Sequence, residues 1–301
     1  MWTESVRDDL ELLKGAIDIH VHHGPDLYPR IQDLIELAQS AKDAGMRAIC
    51  VKTHNFPTVQ LAILARKIVP EIDVLGSLAC NLQVGGVNPL AVEAAIKYGA
   101  QQIWLPTVDS TNHAKLTGGT VGEHGKGLTV KGGISEYARK HPRIYLLDDG
   151  GEVTPQVREV IQLIADANVI LNLGHISLTE MKAVVRQAKS QRVRKIVCDH
   201  PFFSQIGLSD QVELADNGVW INYPVGELLP RWWRVSIADF AAALRKVGVG
   251  RCVLSSDCGQ LHNPPMVEAL RMVCQLLIEE GFSKDEIKLM LHDTPAALLY
   301  Q

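Results

Sequence analysis

The stretch Ala16-Ile17-Asp18-Ile19-His20-Val21-His22 is a short apolar run of strand type that ends in two histidines one residue apart. Seven more runs of this kind follow, at residues 47–54, 73–79, 101–107, 169–174, 195–200, 219–223 and 251–257. Between them the apolar residues recur with helical period, at 31–44, 58–68, 89–98, 155–167, 178–191, 237–247 and 266–281, the last stopping at a glycine. Strands alternating with helices imply a parallel sheet. Eight of them favour a closed (β/α)8 TIM barrel over an open doubly wound sheet, and the first turn after a strand lacks the GxGxxG of dinucleotide folds.

Length agrees with this reading. A prior of about 150 residues per domain would divide 301 residues in two, but α/β barrels run to about 250 or more as one unit, so residues 1–301 are read as a single barrel domain. A ninth apolar run, 143–147, falls outside the count. It follows a stretch rich in glycine (118, 119, 122, 125, 127, 132 and 133), and the region from about 108 to 150 reads as an insertion after strand four, either a lid over the active face or a surface loop.

Composition narrows the partners. With 47% hydrophobic and 21% charged residues the chain is an ordinary globular protein. A net charge of −4 gives no electrostatic footprint for nucleic acid or an anionic membrane. No apolar run approaches the roughly 18–20 residues of a membrane span, and the charged opening MWTESVRDDLELLKG lacks the apolar stretch of a signal peptide. Six scattered cysteines without a CxxC pair read as buried free thiols, so a cytoplasmic location is expected. The expected partner is a small-molecule substrate. Arg231-Trp232-Trp233-Arg234 offers an aromatic wall or a contact between copies in a homo-oligomer.

In barrels, chemistry sits at the carboxyl ends of the strands. Those ends carry His20 and His22, Lys52 and His54, His175, His200 and Asp257. Imidazole nitrogens with a carboxylate suit a divalent transition ion, and alternate residues of a strand share a face, so His20 and His22 point together. The same alternation places Asp18 one layer deeper on that face and His23 on the other, as a supporting or surface residue. His113 and His124, within the insertion, read either as residues able to close over substrate or as solvent-exposed loop histidines. Gly122–Gly127 fails the phosphate-loop pattern. Asp148-Asp149 before Gly150-Gly151 reads as a turn or as acids near the mouth, and Glu227 beyond strand seven as a reader of polar substrate groups. Ser255-Ser256 lacks the glycines of a nucleophile elbow.

The ordered set Ile17-Asp18-Ile19-His20-Val21-His22, Leu173-Gly174-His175, Cys198-Asp199-His200 and Ser255-Ser256-Asp257 resembles the amidohydrolase superfamily, and His292-Asp293-Thr294-Pro295-Ala296 resembles its closing C-terminal element. The resemblance implies metal ligation by His20, His22 and Asp257, with His175 and His200 binding a second ion or orienting substrate, and Asp257 taking the proton of the attacking water. It implies zinc, with manganese or iron as alternatives, and one ion or two. Binuclear members carry a bridging lysine or glutamate at the end of strand four; here that strand reads Ile103-Trp104-Leu105-Pro106-Thr107. The site is then mononuclear, or Lys52 supplies the bridge, with substrate anchoring or a structural ion pair as its other roles. His54 is a ligand, a substrate contact or a loop residue. The implied activity is hydrolysis of an amide, ester or lactone bond; a phosphoesterase, a decarboxylase or a non-catalytic metal-binding barrel are the alternatives.

Overall fold

Eight parallel strands form one sheet in the order of the chain: β1 (Ile17–His22), β2 (Ala48–Lys52), β3 (Asp73–Ala79), β4 (Gln102–Trp104), β5 (Ile170–Asn172), β6 (Ile196–Asp199), β7 (Trp220–Pro224) and β8 (Cys252–Ser255). The structure is a computed structural model that describes residues 8–118 and 143–301. The barrel closes where the chain leaving β8 meets β1: Asp257 N donates to His20 O (2.8 Å) and His22 N to Cys258 O (2.8 Å). The fold is thus the (β/α)8 barrel, and all eight expected strands are present, each starting within one residue of its expected position.

Helices on the outside bury one stripe each. Leu34–Asp43 packs Leu34, Leu37, Ala38 and Ala41 inward, and Asp33 caps it by accepting from Ile35 N and Glu36 N, both at 2.8 Å, while Glu36 accepts from Asp33 N. Ser177 and Glu180 repeat this capping box at the start of Leu178–Ser190, directly after His175. Inside the barrel, Ile17, Ile19, Cys50, Leu75, Val197 and Val253 form an apolar floor against Leu298 and Leu299 of the closing helix Thr294–Tyr300. The polar mouth stands on this floor.

Strand β1 departs from simple alternation. Ile17 is level with Ala48 and His22 with Lys52, but between the pairs Asp18–Ile49 and Val21–Val51 two residues, Ile19 and His20, face Cys50 alone. This bulge overturns the expectation that Asp18 lies beneath His20 on one face. Asp18 instead accepts from His20 N (2.9 Å) and Ser256 N (3.2 Å), tying the bulge to the strand that closes the barrel. Burial raises its carboxyl to about 6.

Residues 143–147 make no barrel strand; Leu147 forms an isolated antiparallel bridge with Val153. Asp148 Oδ1 accepts from Gly150 N and Glu152 N, so the Asp148-Asp149 pair is an exposed turn. The described part of the expected insertion holds one helix, Thr111–Thr117; His124 and Gly122–Gly127 lie outside the described residues. All six cysteines are buried and unpaired in disulfides. Among the described residues no helix is long and apolar enough to cross a membrane.

Candidate metal centre

The ends of β1, β2, β6 and β8 bring five polar side chains to one point. His20 Nε2 and His22 Nε2 stand 3.1 and 3.2 Å from the same oxygen, Asp257 Oδ1. The other oxygen of Asp257 lies 3.7 Å from His200 Nε2, and Lys52 Nζ lies 3.2 Å from His20 Nε2. Two triads have donor atoms close enough to share an ion: His20, His22 and Asp257, and His20, Asp199 and His200. His175 joins neither among the described residues; its ring lies edge-on to that of His200, with centroids 5.1 Å apart.

Local backbone geometry aims these groups. His200 and Asp257 both have positive φ, 52° and 49°, a conformation costly for residues with a Cβ and common where a side chain must be turned into a site. Gly259, at φ +130°, lets the chain after Asp257 run against the carbonyl of His22, which a Cβ would strike.

Electrostatics set the protonation. Burial lowers His22 well below its ordinary value, and the Arg30 guanidinium, 3.1 Å from Nδ1, lowers it further. Arg30 is itself held by Asp26 at 2.7 Å, both side chains buried. Burial also lowers His200. For Asp257, burial raises the carboxyl, but the imidazoles of His20, His200 and His22 outweigh it and hold it well below the carboxylate range. The same opposition leaves Asp199 at about 2, with Oδ2 3.0 Å from His20 Nδ1 and Oδ1 accepting from Asn222 (2.9 Å).

Burial brings Lys52 down to about 8, partly countered by Asp257 and Asp199, and its ammonium rests 3.9 Å over the Trp104 ring. Glu227 is buried and raised well above its ordinary value, first by burial and then by the Asp199 and Asp257 charges, against the Phe203 N–H that donates to Oε1 (2.6 Å). Beside it, Trp232 and Arg234 line the same pocket as Lys52, His54 and Asp257.

Every residue singled out at a strand end reaches this mouth. His54 stands beyond β2, 2.9 Å from Thr107 Oγ1, its ring 4.9 Å from that of His22. His23 is fully buried, with Nδ1 2.9 Å from the Gly24 carbonyl, so it is no surface residue. His113 is likewise buried rather than a solvent-exposed loop histidine. Sequence reasoning gave no role to Asp199 or Arg30. Asp199 was within reach of it, because it adjoins a strand-end histidine; Arg30 lies in a loop, where no periodicity predicts direction.

The donor set fits a divalent ion. Two imidazoles from the end of β1 and a carboxylate from the end of β8 converge in a buried pocket, the combination that suits zinc, manganese or iron. Residues 15–222 match a family described as a family of unknown function, DUF6282. No curated protein matches the sequence significantly. Similar solved structures include an amidohydrolase from Pseudomonas aeruginosa (11% identity, 97% of this chain and 98% of that one covered, TM-score 0.62). Others are the probable dipeptidase PvdM from the same organism (11%, 99% and 98%, 0.64) and the lactonase Lmo2620 from Listeria monocytogenes (12%, 98% and 96%, 0.62). At these identities the likeness is one of fold: the chain shares the (β/α)8 barrel of these proteins.

Proposed function

The chain belongs to the family of unknown function DUF6282, and from the site its barrel builds we propose that it is a hydrolase that uses a divalent metal ion against an amide, ester or lactone bond of a small molecule. The observation that carries this reading is the meeting of His20 and His22 on one oxygen of Asp257 at 3.1 and 3.2 Å. When bound, the ion supplies a Lewis acid that polarises a carbonyl and brings the pKa of water to about 7. Zinc is the expected ion, held by His20, His22 and Asp257.

Asp257 stays ionised at neutral pH, so its oxygen facing His200 accepts the proton of the attacking water. Asp199 fixes the His20 ring from behind. The absence of an acid or lysine at the end of β4, together with the Lys52 ammonium beside His20, favours one ion over two. Lys52 then offers its positive charge to the oxyanion formed on attack, and Glu227 and His54 orient the substrate from the pocket wall.

The test is a panel of esters, lactones, amides and phosphoesters, assayed with protein stripped by chelator and reloaded with zinc or manganese. At least one carboxylic ester, lactone or amide should be cleaved, with activity lost on stripping and restored on reloading. Full activity in metal-free protein, or release of phosphate or carbon dioxide alone, would contradict the proposal.

A further inference from the structure

The segment that follows β4 meets His175 at both its backbone and its ring. Ser110 Oγ donates to the His175 carbonyl at 2.9 Å, and Asn112 Nδ2 donates to the same oxygen at 3.1 Å. One residue on, His113 Nδ1 lies 2.8 Å from His175 Nδ1, with the two ring planes 18° apart. That separation is too short for face-to-face stacking, so the nitrogens meet edge to edge in a hydrogen bond. Phe203 packs against both rings, at 5.2 and 5.4 Å between centroids, and His113 is 3% exposed. Three of four consecutive residues, 110, 112 and 113, thus act on one histidine.

We propose that His113 is a positioning residue: it accepts the Nδ1 proton of His175 and so fixes that ring in the tautomer with a lone pair on Nε2. This rests on the reading of the site as a metal centre, in which His175 serves an ion or a substrate through Nε2. A contact between two neutral imidazoles needs one N–H and one lone pair, so the pair has two possible polarities. With the proton on His175 Nδ1, Nε2 is a donor of electrons; with the opposite polarity it carries a hydrogen and cannot ligate. Metal-binding histidines take this fixed tautomer from a partner on the other ring nitrogen, most often a carboxylate or a carbonyl. Here the partner is a second imidazole, on a helix that begins at Thr111, four residues after Thr107. Ser110 and Asn112 anchor that helix to the His175 backbone, so ring and main chain are held together.

The experiment has two readouts. Two-bond proton–nitrogen NMR correlations on metal-free protein report which nitrogen of His175 carries hydrogen, with assignment from a His175→Gln variant. Zinc titration against a chromogenic chelator reports affinity in the wild type, His113→Ala and His113→Asn. His175 should appear as the Nδ1–H tautomer in the wild type and lose that preference in His113→Ala. Zinc affinity should fall about 10–100-fold in His113→Ala where His175 serves the ion and stay unchanged where it serves the substrate, and the His175 tautomer should recover at least in part in His113→Asn, whose Oδ1 accepts the same proton. An Nε2–H tautomer in the wild type, or the wild-type tautomer in His113→Ala, would overturn the proposal. If the wild type binds no zinc, the metal reading fails, and the tautomer of His175 still decides the role of His113. If His113→Ala does not fold, the wild-type spectrum and His113→Asn decide it.

Discussion

Asp109 shows how burial at the mouth couples to stability. Its Oδ2 accepts from Leu82 N at 2.7 Å, and burial outweighs this bond and raises the carboxyl from 3.8 to about 6. The folded protein therefore holds a proton that the unfolded chain releases, so folding takes up a proton between about pH 4 and pH 6. Stability falls as pH rises through that window and levels off above it, a cost on the order of 2–3 kcal/mol from this group. Asp109→Asn keeps an acceptor for Leu82 and removes the charge. Compared with the wild type in urea unfolding at several pH values, the variant should gain stability as pH rises from 4 to 6, because the downward contribution of Asp109 is gone while those of the other buried groups remain; an unchanged difference across that window would refute the assignment. At this scale the sequence was informative wherever a residue ended a strand, since the barrel rule alone locates His20, His22, His200 and Asp257. It was silent where direction depends on tertiary contact. Arg30 and His113 lie in connecting segments, and what they touch is set by parts of the chain remote from them.

Among the elements, strand positions were legible because the apolar runs are short, separated and bounded by helical patterns. The bulge in β1 was not, because Ile17-Asp18-Ile19-His20 alternates as a regular strand would, and only the register with β2 reveals the extra residue. The bulge matters for the site. It turns His20 into the mouth while Asp18 binds the amides of His20 and Ser256. The partner element is the turn after β8. Gly259→Ala would set a methyl against the His22 carbonyl and, 2.7 Å away, against its Cβ, at a φ that disfavours alanine. A loss of about 2–4 kcal/mol in unfolding free energy is expected, with weakened zinc binding because His22 and Asp257 move apart. Thermal melts and zinc titration of that variant test both parts; unchanged affinity would mean that this close approach does not position the ligands.

For the whole molecule, the architecture assigns separate tasks to its two ends. The apolar floor and the closing helix Thr294–Tyr300 fill one end, and the polar groups gather at the other, where strand ends and loops converge. A folded barrel that binds an ion should be more stable with it than without, so stripping the metal should lower the melting temperature in a concentration-dependent way. The most direct test of the metal centre is the metal content of purified protein, by elemental mass spectrometry, in the wild type and in the double variant His20→Ala, His22→Ala. The account predicts about one transition-metal ion per chain in the wild type and none in the variant, with the barrel still folded by circular dichroism. Full retention of metal by the folded variant, or a wild type that takes up no ion when zinc or manganese is supplied, would contradict it.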